Sequence, residues 1–113
     1  MNERGRRAET QAAAYLQSQG LRILARNWRC RFGEIDLVAR DATTVVFAEV
    51  RARASRAFGG AAESIDSAKR RKLIAAANLF LSARRLDAPC RFDALLIEGD
   101  GRIEWVRDAF RVD

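Results

Sequence analysis

Three features predict a mixed α/β fold with the element order α-β-β-β-α-β-β: an amphipathic opening segment, two adjacent stretches of strict apolar alternation, and a second helical stretch followed by two short strands. At 113 residues the chain holds enough material for one hydrophobic core, so residues 1–113 are read as a single domain.

The first helix is expected over residues 7–19. Ala8, Ala12, Tyr15 and Leu16 recur at helical spacing, Glu9 is assigned to the polar side, and Gly20 is the stop signal. Residues 21–30 carry Leu21, Ile23, Leu24 and Trp28 and read as an irregular strand. Over residues 33–40, alternation sends Glu34, Asp36 and Val38 to one face and Ile35, Leu37 and Ala39 to the other. Over residues 44–53, Val45, Phe47, Glu49, Arg51 and Arg53 share a face, opposite an apolar face of Val46, Ala48, Val50 and Ala52. These two segments form a hairpin backed by helices. Pairing Arg40 with Val45 sets Asp36 opposite Glu49; a shorter loop sets Glu34 opposite Glu49, with Asp36 one diagonal step away. Either register gathers carboxylates.

Gly59 and Gly60 mark residues 54–63 as a loop. Asp66 is a suitable N-cap for a helix reaching Arg84, with an apolar stripe of Leu73, Ala77, Phe80 and Leu81. Lys69, Arg70 and Lys72 crowd its first turns, where positive charge opposes the helix dipole and calls for a compensating reason. Pro89 precedes a strand over residues 91–97, and residues 98–101 turn into a final strand over 102–107.

Composition narrows the chemistry. The formal charge is +6, and Lys69 and Lys72 are the only lysines, so the positive charge is nearly all arginine, whose planar fork matches phosphate oxygens. A polyanionic partner such as nucleic acid fits that balance, although surface arginines also occur without a ligand. The absence of histidine removes Ser-His and Cys-His nucleophiles and the usual zinc sets, leaving oxygen donors for any metal. Cys30 and Cys90 are too few and too far apart for a zinc motif and read as buried thiols. The charged start and the lack of a long apolar run suggest a cytoplasmic protein with no membrane partner.

Like charges facing each other across paired strands destabilise a hairpin unless something neutralises them, and a hard divalent cation does so. Asp36 and Glu49 are therefore candidate ligands for Mg²⁺ or Mn²⁺; a solvated strand edge is the alternative. Arg51 and Arg53, on the face of Glu49, would meet a phosphodiester from the side, or Arg51 would instead bridge to Asp36 or Glu34. Lys69, Arg70 and Lys72 could follow a phosphate backbone with Arg56 as a clamp, or form an ordinary solvated helix face. Trp28 and Trp105 could stack on bases, but fit core packing better.

The runs Gly-Glu-Ile-Asp-Leu-Val, Val-Phe-Ala-Glu-Val-Arg-Ala-Arg, Phe-Gly-Gly-Ala-Ala-Glu-Ser-Ile and Lys-Arg-Arg-Lys-Leu together resemble the bacterial YraN-type family, from the helix bearing Glu9 to Arg91-Phe92-Asp93. That resemblance implies a restriction-endonuclease-like fold, a three-layer sandwich around a mixed central sheet, similar to archaeal Holliday-junction resolvases. It implies a PD-(D/E)xK-type site in which Asp36 and Glu49 are the acidic positions, Glu49-Val50-Arg51 matches the Glu-x-Lys element, and Glu9 is an additional acidic residue. Arg51 stands where that pattern has lysine; it can contact phosphate but does not readily exchange a proton.

Two functions follow as expectations. One is a Mg²⁺- or Mn²⁺-dependent endonuclease on DNA, branched or structured DNA included, using Asp36, Glu49, Arg51 and Glu9. The other is a nucleic-acid-binding module of the same fold without hydrolysis. An interaction scaffold is a third, resting only on the alanine-rich helices, and whether cutting two strands takes a homodimer is left open by the sequence.

Overall fold

The computed structural model describes residues 3–53 and 65–111. Its elements are α1 (Glu3–Ser18), β1 (Arg22–Cys30), β2 (Gly33–Asp41), β3 (Thr44–Arg53), α2 (Ser67–Ala83), β4 (Cys90–Glu98) and β5 (Ile103–Phe110). The order matches the sequence expectation; the expected loop at 54–63, including Arg56, lies outside the described residues.

Gly20, at φ +92°, closes α1: its N–H donates to Gln17 O (3.0 Å) while Leu21 N–H donates to Leu16 O (3.0 Å). This Schellman arrangement satisfies carbonyls that the helix end leaves open and needs a residue tolerant of left-handed backbone. The α2 cap is also as expected: the Asp66 carboxylate accepts the Lys69 N–H at 2.8 Å.

The strands form one mixed sheet in the order β1-β2-β3-β4-β5. All pairs are antiparallel except β3 with β4, which run parallel from Val45↔Cys90 to Arg53↔Glu98, with α2 on the crossover between them. Helices cover both faces, giving three layers. On one side Ala8, Ala12, Ala13 and Leu16 of α1 meet Leu37, Ala39, Val46, Ala48, Leu95 and Ile97. On the other, Leu73, Ala76, Ala77 and Phe80 of α2 meet Ile35, Val38, Val45, Phe47, Phe92 and Phe110. The central strand β3 is thus apolar on both faces along its first half, as a parallel-paired strand between two helical layers requires.

Register resolves the hairpin alternatives. Arg40 pairs with Val45, as in the first reading, and Asp41 pairs with Thr44, so the turn shortens to Ala42 and Thr43, with Ala42 at φ +39°. The ladder stops at Leu37↔Ala48, one step before Asp36 and Glu49. Alternation in β2 also breaks there: Ile35 and Val38 pack beneath α2, while Leu37 and Ala39 pack beneath α1. The expected face shared by Glu34, Asp36 and Val38 is corrected accordingly.

β5 runs past the expected Arg107 to Phe110 because a register shift between Phe92 and Ala94 takes up extra residues. Asp93, 1% exposed, pins that irregularity: its carboxylate accepts the Asp108 N–H (2.9 Å), Trp105 Nε1–H (2.9 Å) and Arg91 Nε–H (3.1 Å). No helix among the described residues is long and apolar enough to cross a membrane.

Candidate metal centre

The site forms where the β2–β3 ladder ends. Instead of continuing the backbone pairing, Val50 N–H donates to Asp36 Oδ2 at 2.9 Å. The side chain thereby takes over a backbone acceptor's role, and the strand ends separate around it. Glu34 lies two residues earlier on β2, its Oε2 3.3 Å from Arg29 Nε. Glu9 enters from α1. Glu9, Glu34 and Asp36 each offer a carboxylate oxygen, and the three oxygens lie within 4.8 Å of one another.

Burial makes this convergence costly without a cation. Glu9 is only 5% exposed, and its Oε1 is buried with no hydrogen-bond partner among the described residues. Burial raises its pKa; a hydrogen bond with the Asn27 side chain works the other way, and the Glu34 charge adds to the rise. Asn27 adopts a left-handed φ of +51°. Burial, then the Glu49 charge, pushes Asp36 up to about 7, against the stabilising Val50 N–H. An orphaned, nine-tenths-buried carboxylate oxygen beside two further carboxylates fits a hard divalent cation, which takes oxygen donors and offsets their repulsion.

Glu49 occupies the β3 side of the same region but is outside that trio. It is 6% exposed; its Oε1 is hydrogen-bonded by Lys69 Nζ from α2 and lies 3.4 Å from Arg51 Nε. Arg51 therefore pairs with Glu49 on its own strand rather than bridging to Asp36 or Glu34. The basic group of α2 divides. Lys69 turns to the carboxylate, Arg70 donates from Nε to Ile65 O (2.9 Å) with its guanidinium 5.5 Å above the Phe110 ring, and Lys72 is exposed. Lys69 and Lys72 line a cleft of about 350 Å³ together with Phe32, Glu34 and Leu73. The Arg53 side chain is outside the described residues, as is Arg56.

The sequence profile of the Uncharacterised protein family UPF0102 matches residues 8–97. The chain belongs to that family. Among its relatives, a UPF0102 protein of Methylobacillus flagellatus is 56% identical over 113 residues, covering 97% of this chain and 98% of the relative. One from Nitrosomonas europaea is 55% identical over 109 residues (95% and 92%), and one from Ralstonia nicotianae 56% over 114 residues (96% and 87%).

Several readings of the UPF0102 chain need correction. Glu9 is not on a polar helix side: it shares the buried stripe of Ala12, Ala13 and Leu16. The spacing 9-12-13-16 already held that signal, a carboxylate interrupting an apolar stripe. Glu34, which the sequence sets opposite Glu49 only in the shorter-loop register, reaches the trio in the Arg40↔Val45 register. Cys90 is exposed, at the start of β4 after Pro89, and not a buried thiol; Cys30 is half-buried. Both tryptophans are packing residues. Trp28 meets Phe80 edge-on at 5.2 Å, and Trp105 meets Tyr15 edge-on at 6.1 Å with Arg107 over its ring at 4.0 Å.

Proposed function

We propose that this protein is a divalent-metal-dependent endonuclease acting on DNA, with Asp36, Glu34 and Glu9 as the carboxylates that hold Mg²⁺ or Mn²⁺ and Glu49 as their β3 partner. The observation that carries the proposal is the buried Oε1 of Glu9, without a hydrogen-bond partner among the described residues, converging with two β2 carboxylates at the open end of the central hairpin. A single structural salt bridge would not require three carboxylates there. The proposal draws further support from the resemblance of the Asp36 and Glu49-Val50-Arg51 elements to the PD-(D/E)xK pattern of restriction-endonuclease-like proteins.

When bound, the cation supplies Lewis acidity for in-line attack of water on a phosphodiester. The protein's own groups do the rest. Asp36 is held in orientation by Val50 N–H, and Glu49 by Lys69 and Arg51. Arg51 and Lys69 thereby gather two positive charges on the β3 carboxylate beside the trio. The +6 net charge favours encounter with a polyanion.

The test is a cleavage panel of linear, flapped and four-way DNA with Mg²⁺ or Mn²⁺, comparing wild type with Asp36→Ala, Glu49→Ala and Glu9→Gln. Loss in all three variants is expected. Equal cleavage by all four proteins would mean a contaminant and refute the assignment. A second reading, a nucleic-acid-binding module without hydrolysis, is favoured by Arg51 at the lysine position; it predicts salt-dependent DNA binding that EDTA leaves unchanged and no cleavage.

A further inference from the structure

The nuclease pattern puts a lysine two residues after the β3 glutamate. Here Arg51 occupies that position, and a different lysine reaches the same carboxylate from another element. Lys69 Nζ hydrogen-bonds Glu49 Oε1, and Arg51 Nε lies 3.4 Å from that same oxygen. Two cations on one carboxylate offset part of the negative charge that Glu9, Glu34 and Asp36 bring to this region, which eases the approach of an anion.

Lys69 is not arranged for the ion pair alone. Its ammonium has three N–H donors, and its side chain is 40% exposed where that of Glu49 is 7% exposed. It opens onto the cleft of about 350 Å³ that Lys72 also lines, together with Glu34 of the carboxylate trio. Its backbone is fixed by the Asp66 cap at 2.8 Å, and the helix start by Arg70 Nε on Ile65 O at 2.9 Å. Lys69 lies in the first turn of α2, where the helix dipole opposes a cation and no acidic residue of that turn offsets it. Its position is explained by what it faces.

We propose that Lys69, reaching in from α2, is the cation that meets the bound phosphodiester at this site in place of the missing β3 lysine, and that Arg51 is a positioning residue that holds Glu49. This rests on the hydrolase reading above. In the reaction, the water oxygen bonds to phosphorus as the P–O bond to one sugar breaks. One water proton ends on the leaving oxygen and the other passes to solvent as the phosphomonoester forms. Lys69 remains an ammonium throughout, offsetting charge on the phosphoryl oxygens.

The test uses the full chain and four variants, Lys69→Met, Lys69→Arg, Arg51→Lys and Arg51→Lys/Lys69→Met, with two readouts. One is cleavage of a four-way DNA in Mn²⁺; the other is affinity for the same DNA in Ca²⁺. Lys69→Met is expected to lower kcat about 100-fold or more and to weaken DNA binding about tenfold. Lys69→Arg should keep part of the activity, and the double variant should recover at least tenfold over Lys69→Met because a lysine again approaches the phosphate from β3. A purely structural Lys69 would give a lower melting temperature, no rescue by Arg51→Lys and unchanged DNA affinity, and would overturn the proposal. Wild type no more active than Asp36→Ala would overturn the hydrolase reading; the Lys69 contact is then decided by the binding arm, where equal affinity of wild type and Lys69→Met refutes it.

Discussion

Replacing Asp36 by asparagine should stabilise the metal-free protein at pH 8 and lose more than half of that advantage at pH 5. In the folded chain the carboxyl is pushed from 3.8 to about 7, chiefly by burial and secondarily by Glu49. The fold therefore binds a proton between about pH 4 and 7 that the unfolded chain has released. A carboxyl raised in this way contributes stability that is present below the unfolded pKa and lost as pH rises through the folded one. At 1.36 kcal/mol per unit, the shift from 3.8 to about 7 sets an upper bound of about 4 kcal/mol on the loss by pH 8. Asp36 is only half-buried and shares its repulsion with Glu49, so solvent screening reduces this to about 1–2 kcal/mol, or roughly 4–8 °C in Tm for a chain of this size. Asparagine keeps an oxygen able to accept the Val50 N–H, so the substitution removes charge more than structure. Urea and thermal unfolding of both proteins in EDTA at pH 5 and pH 8 measure the difference. Mg²⁺ or Mn²⁺ should raise the wild-type Tm more at pH 8 than at pH 5, because the ligand must be deprotonated, and should leave Asp36→Asn little changed. A variant less stable than wild type at pH 8 in EDTA, or a difference independent of pH, would refute the reasoning.

Two further substitutions separate the site from the scaffold. Glu9→Gln removes a buried charge with an unpartnered oxygen, so Mn²⁺ affinity by calorimetry should fall at least tenfold while stability in EDTA stays equal or rises; unchanged affinity would take Glu9 out of the metal centre. Asp93→Ala strips three partners from a carboxylate that is 1% exposed and leaves Arg91 without its charge partner there, so urea denaturation should show a loss of about 3–5 kcal/mol, with metal affinity unaffected in the fraction that stays folded.

How much of this could be read in advance depends on the range of the interaction involved. Local chemistry was enough for the Asp66 cap, the Gly20 stop and the apolar stripe of α2, because each is set by residues within a turn of one another. The Arg40↔Val45 register was also readable, since the apolar faces of two neighbouring strands allow few pairings. The length of β5 was not. It depends on Asp93 reaching across to Asp108, a bond between residues that nothing in the local pattern links.

The same division runs through the site. The sequence alone determined the element order, an oxygen-only donor set, and the proximity of β2 and β3 carboxylates, because composition and strand parity suffice for these. Only the tertiary structure decided which carboxylates converge and which cations face them. Glu9 joins Glu34 and Asp36 because α1 lies across the sheet, while Lys69 reaches Glu49 because the crossover places the N-terminus of α2 beside β3. Both are contacts between elements brought together by packing of the two apolar cores, and no periodicity within either element encodes where its polar exception will land.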